Sequence, residues 1–399
     1  MRNRNENTIY ADHSATTPVD SQVVDEMRRI MTNVWGNASS VHQIGRSAKV
    51  ELEQARETIA GALNASRNEI LFTSGATESD NFALRGLAQA FRNKGKHIIT
   101  SKAEHHAVLH TCEALDKNGF SVTYLDVDKH VMVNPGDVEA VLTDETILIS
   151  IMHANNEIGT INPIDEIGKI AQEHDIPFHT DAVQTFGKLP LDVSELPVDA
   201  LSVSGHKIYG PKGIGFLYVN KNLDIIPQLT GGAQERNLRA GTENLPAIVG
   251  LAKAVELALE SQNSETDRLR NLQKSLEIGL TEQIPGATVH GHPEKRIAGL
   301  THIGFDGVDG ESLVMNLDMR GIAVSSGSAC SSGTVNPSHV LLAMGYEKDR
   351  AKSAIRISLG RSNTEEDIPV LIDAIREEVE RIRTAGEQRN QKKEEIVHA

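Results

Sequence analysis

Hydrophobic positions along this chain fall into two regimes. Short runs of nearly unbroken apolar and β-branched residues recur at EILFTS (69–74), HIITS (97–101), SVTYLDV (121–127), ILISIMHA (147–154), IPFHTDA (176–182), ALSVS (200–204) and GFLYV (215–219). Between them lie stretches with helical spacing, such as ESDNFALRGLAQAFRNKG and PIDEIGKIAQEHD. In the second, Ile164, Ile167, Gly168 and Ala171 fall on one face. These seven runs read as continuously apolar rather than alternating. They predict an α/β fold, with a mostly parallel sheet covered by helices on both faces. Such sheets bind ligands outside the carboxyl ends of their strands, so the residues just after each run are the ones to examine for chemistry.

The pattern changes after a long helical stretch, LPAIVGLAKAVELALESQNSETDRLRNLQKSLEIGL (245–280). Beyond it, IAGLTHIGF, GIAVSSG and AIRISLG read as strands, and GESLVMNLDMRG and IPVLIDAIREEVERIRTAG as helices. The expected division is a large domain over 16–259, a smaller α+β domain from 1–15 and 260–385, and a charged tail, 386–399, that frays or is disordered. There is no internal repeat and no low-complexity linker.

Composition narrows the function classes. A formal charge of −15 argues against a nucleic-acid binder that works by neutralising phosphates. The start, MRNRNENTIYADH, is polar, and no apolar run approaches membrane-spanning length. The expectation is a cytoplasmic protein with no membrane contact. The two cysteines, Cys112 and Cys330, are too few for a disulfide framework, and no CxxC pair suggests a metal site.

Several strand ends carry groups that fit one kind of ligand. In SGATESDN (74–81), a small turn opens a helix at Ala76, and its free N–H groups with the Thr77 hydroxyl make either a plain helix start or an anion site. Ser204 and His206 could add phosphate donors from a second strand end. Asp181 in HTDAVQTFGK ends a strand of low polarity. It either caps the next turn or meets a cationic or N–H partner, with Gln184 close behind. His105, in SKAEHHAVLH, could stack on a flat cofactor or move protons. With His106 it could be a metal fragment, although no third ligand is spaced to complete one, or it could be a surface histidine.

Lys207 lies in SGHKIYGPKGIG, at a largely apolar strand end where burial would favour the neutral amine, the form that makes Schiff bases with aldehydes. Lys212, in a glycine-rich turn, reads as structural. A phosphate cradle, an acid for a pyridinium N–H, a glutamine for a phenolate oxygen, a stacking ring and a neutral amine together match pyridoxal 5′-phosphate (PLP). Cys330 sits among Ser and Gly in AVSSGSACSSGT (323–334), where a lone thiol reads as a nucleophile. Cys112, inside the helical run VLHTCEALDK, reads as a buried small hydrophobe. Arg356, within a strand, calls for a carboxylate from the protein or from a substrate.

These segments resemble the NifS/IscS-type cysteine desulfurases, within the fold-type I, class V aminotransferase-like PLP enzymes. The matching stretches are ADHSATTP, GNASSVH, FTSGATESDN, EHHAVL, MHANNEIG, HTDAVQTFGK, SGHKIYGPKGIG, RAGTEN, SSGSACSSG and AIRISLGR, in family order over nearly the whole chain. The SSGSAC segment with PSHVL after it resembles the long-loop group rather than the SufS group. One motif departs from the family's usual LDNAATTP or LDNNATTP, with Ala11, His13 and Ser14 differing, and this bears on the shape of the substrate mouth.

The resemblance implies a fold-type I architecture with a seven-stranded sheet and PLP carried on Lys207. Ala76, Thr77, Ser204 and His206 would hold its phosphate. Asp181 would pair with the ring nitrogen, Gln184 with O3′, and His105 would stack on the ring and serve in catalysis. Asn156 and Arg356 would lie at the substrate end, with Arg356 holding the α-carboxylate. Thr242 would reach the phosphate of a neighbouring subunit, which implies a homodimer. The activity implied is conversion of L-cysteine to L-alanine, with a persulfide on Cys330 passed to a sulfur-acceptor protein such as a scaffold for Fe–S cluster assembly. The alternatives are selenocysteine lyase, a class V aminotransferase, or an inactive scaffold that binds partners.

Overall fold

The computed structural model of the chain describes residues 8–326 and 337–397. Twelve strands follow in chain order: β1 Ile9–Tyr10, β2 Ile70–Thr73, β3 His97–Ser101, β4 Ser121–Leu125, β5 Thr146–Ser150, β6 Phe178–Asp181, β7 Ala200–Ser204, β8 Gly215–Val219, β9 Ala287–His290, β10 Leu300–Phe305, β11 Ile322–Ala323 and β12 Ala354–Ser358. Seven of them form one sheet in the order β2-β8-β7-β6-β5-β3-β4. All pairings from β7 across to β4 are parallel. β8 runs antiparallel to both neighbours, because the short link from Ser204 to Gly215 leaves no room for a crossover.

Side chains alternate across this sheet. Ile70, Phe72, Leu201, Val203, Phe216 and Tyr218 pack on one face, against the helices Ser21–Asn33 and Gln43–Ala62 and the first half of Leu245–Gln283. Leu71, Ile98 and Leu217 pack on the other, under Ala76–Ala90 and His106–Lys117. Helix Ile164–Glu173 buries Ile164, Ile167, Gly168 and Ala171, the face expected from their spacing.

A second core gathers around the antiparallel sheet β12-β10-β9. It includes Leu272, Leu276 and Leu280 from the second half of Leu245–Gln283, Leu313 and Leu317 from Gly310–Met319, and Leu371 and Ile375 from Asp367–Val397. The 39-residue helix Leu245–Gln283 thus buries its two ends in different cores and runs across the expected boundary at 259/260. β1 pairs in parallel with β11, tying the start of the chain to the second core.

Two expectations are corrected. Of ILISIMHA only the part to Ser150 is regular strand: Ile151 and His153 still donate to the His179 and Asp181 carbonyls, and the chain then turns, with the Asn155 side-chain oxygen accepting from the N–H groups of Glu157 and Ile158 and Ala154 bridging back to Ile161. The charged tail does not fray at 386, since the last helix continues to Val397. Among the described residues, no helix is long and apolar enough to cross a membrane.

Candidate functional site

The carboxyl ends of β3, β5, β6 and β7 open onto a cleft of about 860 Å³. The order of strand formation reverses here, with β4 on one side of β3 and β5 on the other, which splays the loops apart. Ala76, Thr77, His105, Asn156, Asp181, Gln184, Ser204, His206, Lys207 and Arg356 all line this cleft. Thr242 does not; it lies exposed in the loop before helix Leu245–Gln283. Cys330 falls outside the described residues, but Ser325, Ser326 and His339, on either side of that stretch, line the cleft.

Lys207 ends a single 3₁₀ turn that follows β7 directly. Its Nζ donates to the carbonyls of Ser14 and Ala15, at 2.5 and 2.8 Å, so the amine is held by the N-terminal segment. Burial, with Arg356 and Lys188 nearby, brings its pKa down to about 7, against the smaller pull of Asp181 and Asp12. Lys212 is exposed at the cleft edge.

Asp181 closes β6 with Oδ1 accepting from the Val183 N–H at 2.9 Å. Burial pushes its pKa up to about 6, while that N–H and Lys207 pull it back. Asp80, one turn into helix Ala76–Ala90, has both carboxyl oxygens buried with no hydrogen-bond partner. Burial first, and then Asp181, raises Asp80 well above the carboxylate range, against the pull of the Ser202 hydroxyl. His179 stands 3.7 Å from it, bonded to the hydroxyls of Ser150 and Ser202 and kept neutral by burial.

The helix Ala76–Ala90 aims an N-terminus without a side-chain cap at the cleft, leaving its first N–H groups to a ligand. Gly75 precedes it at φ 148°, ψ 178°, a conformation open essentially to glycine alone. A Cβ on Gly215 would come within 2.8 Å of Gly75, so bare backbone at both positions brings this helix start against β8. His206 Nδ1 lies 3.1 Å from the Thr16 hydroxyl, and burial lowers its pKa to about 4.

His105 caps helix His106–Lys117, with Nδ1 accepting from the Ala107 N–H, which leaves its proton on Nε2. Desolvation and Lys207 lower its pKa to about 4, so the ring is neutral. Gln184 donates from Nε2 to the Ser14 carbonyl at 3.2 Å. Arg356 donates to the Asn156 carbonyl at 3.0 Å and to Asp12 at 2.9 Å, and its buried Nε has no partner. The carboxylate expected for this guanidinium is thus supplied within the chain by Asp12.

Three buried acids in or beside the cleft escaped the sequence reading: Asp80, Glu104 and Glu157. Glu104 accepts twice from the Met152 N–H and once from Ser101 Oγ, and burial drives its pKa up to about 8. Glu157 accepts from Ser338 Oγ and rises to about 7 for the same cause. The signal for these two was an acid next to a residue already singled out, Glu104 before His105 and Glu157 after Asn156. His106 stacks near His110 and His339, at 4.9 and 4.6 Å between ring centroids, yet no three His, Cys, Asp or Glu side chains among the described residues form a metal-holding group.

The chain matches the aminotransferase class-V family over residues 9–371. It is 52% identical over 375 residues to the cysteine desulfurase IscS of Methanosarcina thermophila, covering 94% of this chain and 93% of the relative. Among solved structures it resembles a NifS-like protein, with a TM-score of 0.88 and 39% identity over 93% of this chain and 98% of the other. It also resembles SspA in complex with cysteine, with a TM-score of 0.79 and 39% identity over 88% and 99% of the two chains. This chain therefore belongs to the class-V aminotransferase family, whose members depend on PLP, and within it to the cysteine desulfurases.

Proposed function

We propose that the chain converts L-cysteine to L-alanine, leaves the sulfur on Cys330 as a persulfide, and passes it to an acceptor protein, foremost a scaffold on which Fe–S clusters are built. The observation that carries this reading is the Lys207 amine. It titrates near neutrality at the cleft floor, in one cleft with Asp181, His105 and Arg356.

The residues fit PLP. The uncapped helix start at Ala76 and Thr77, with Ser204 and His206, suits a phosphate. Asp181, whose carboxylate closes β6 in the cleft with Oδ1 held by the Val183 N–H, suits a ring N–H. Gln184 suits O3′, and neutral His105 suits the ring face. When bound, PLP supplies an electron sink for the bonds to the substrate's Cα. Lys207 then takes the Cα proton and returns protons to the product. Arg356, whose side chain lines the cleft beside Asn156, suits the substrate carboxylate. The Cys330 thiolate attacks the substrate sulfur; the S–S bond forms as the C–S bond breaks, and the pair from that bond stays with carbon.

A homodimer is part of this reading. Thr242 is exposed outside the cleft, free to serve another copy. Met31, Trp35 and Val41 are 57, 71 and 89% exposed around one end of helix Ser21–Asn33, more apolar surface than a lone chain needs to show.

Incubating the purified protein with L-cysteine and measuring alanine together with protein-bound persulfide tests the whole reading. Cys330→Ala is expected to yield neither, and Cys112→Ala, a buried packing residue, to yield both. Alanine formed at the wild-type rate by Cys330→Ala would exclude the persulfide route.

A further inference from the structure

Lys207 is open on a second side. A cavity of about 70 Å³, counted as space open to the centre of a water molecule, lies between helix Leu245–Gln283, the turn after β7 and the segment after β12. Its wall includes Lys207, Lys188, His13, Tyr209, Glu265 and Arg361. A water needs roughly 10–15 Å³ of such space and two or more polar partners, so there is room here for several.

The partners are arranged around it. The Tyr209 hydroxyl accepts from the Arg361 N–H at 2.7 Å and stands 3.5 Å from His13 Nδ1, and Ser362 Oγ lies 3.4 Å from His13 Nε2. Lys188 Nζ reaches Gln184 Oε1 only at 3.4 Å. His13 is one of the positions where the N-terminal motif departs from the pattern it resembles.

The reaction proposed above needs such a place. Lys207 removes one proton, from Cα, yet alanine requires two to be delivered, one to Cβ and one to Cα. The second balances the proton that Cys330 gives to solvent in becoming a thiolate, so it returns from solvent, and it must reach the amine while substrate occupies the front cleft. Taking the desulfurase reading as its basis, we propose that the cavity behind Lys207 is a water-filled proton inlet, through which Lys188 and His13 exchange the protons of the Lys207 amine with solvent during turnover. Lys188 suits the task because burial and Arg356 bring its pKa down to about 8, next to the value near 7 of Lys207. A proton therefore passes between the two amines at little cost in either direction.

Cysteine carrying deuterium on Cα, turned over in ordinary water, reads this directly. The wild-type enzyme is expected to give alanine nearly free of deuterium. Ala258 lines the cavity on the helix side and touches neither substrate nor cofactor positions; Ala258→Leu fills the space. That variant is expected to retain several-fold more deuterium in alanine, with kcat lowered and KM unchanged. Ser261→Leu, a second wall position, provides the same test should the first variant fold poorly. Equal loss of label in wild type and both variants overturns the proposal. Crystals of the cofactor-free protein give a second reading. Ordered waters between Lys188 and the cavity wall in wild type, absent from Ala258→Leu, support it, and a dry wild-type cavity overturns it. If wild type forms no alanine, the desulfurase reading fails, and the crystals still decide whether the inlet exists.

Discussion

The seven-stranded sheet has a hollow at each end, and they are close in size. The cleft at the carboxyl ends measures about 860 Å³; the hollow at the amino ends of β6 and β7 measures about 730 Å³. Their polar groups differ in kind. At the amino ends, Asp199 accepts from the Phe178 N–H at 3.0 Å and so serves the start of the neighbouring strand, and Lys94 lies over the Phe91 ring at 4.9 Å. These groups serve the local chain. At the carboxyl ends, Asp80 has two buried oxygens without partners, Arg356 has a buried unpartnered Nε, a helix start has no cap, and Lys207 titrates far below an ordinary lysine. Folding alone does not favour any of these, since each costs desolvation or leaves a polar group unsatisfied. Volume does not distinguish a site from a crevice here; unspent polar groups do.

The hardest blow to this contrast is Lys207→Ala. Removing a positioned proton carrier is expected to cost about a thousand-fold or more in alanine formation. It also has a signature without cofactor. Burial brings the pKa of folded Lys207 down to about 7, against 10.5 for an ordinary lysine. Between those values the unfolded chain binds more protons than the folded one, so stability rises with pH across that window. Thermal melts of the cofactor-free wild type should show this rise, and Lys207→Ala should flatten it. A wild-type turnover rate in Lys207→Ala would leave the cleft no better supported than the hollow at the other end.

Much of this was legible in the sequence because strand ends are local. HIITS, ALSVS and GFLYV form strands at the bounds their apolar runs gave, and functional residues follow the first two within a few positions. What stayed hidden depends on distant partners. Nothing near Lys207 shows that the carbonyls of Ser14 and Ala15 receive its amine, or that Asp12 would meet Arg356, 344 residues away in the chain. Strand β9, ATVH, is only partly buried until its last residue, so it lacks the unbroken apolar pattern of the others. The helices Ser21–Asn33 and Gln43–Ala62 each bury a narrow stripe in a largely polar sequence, a weak signal at single-sequence level.

Glu104 sharpens the contrast with a smaller effect. Its folded pKa of about 8 lies above the 4.5 of an ordinary glutamate because burial disfavours the charge. Between those values the folded protein holds a proton that the unfolded chain has lost, so this group makes stability fall as pH rises, the opposite sign to Lys207. Glu104→Gln keeps an acceptor for Met152 and cannot ionise. Its stability relative to wild type, followed by urea unfolding of the cofactor-free protein, is expected to improve steadily from about pH 4.5 to 8 and then level off. A difference that does not change with pH would mean that Glu104 carries no buried proton.

The smallest effect is expected where the second hollow has the most polar groups to lose. Asp199 is partly buried, and its carboxyl is raised by burial against the pull of the Phe178 N–H. Asp199→Asn keeps an oxygen for that N–H, so it should cost no more than about one net hydrogen bond's worth of stability, roughly 0.5–1.5 kcal/mol. Lys94→Ala removes an exposed stacking contact of about 0.5–1 kcal/mol. Neither residue lines the cleft at the carboxyl ends, where the chemistry is placed. Alanine formation by both variants, and by the double variant, should therefore stay within about twofold of wild type, the spread expected of surface substitutions away from a site. A tenfold loss in kcat with unchanged melting would show that the hollow at the amino ends bears on turnover after all, and unpartnered polar groups would then no longer suffice to tell the two ends apart.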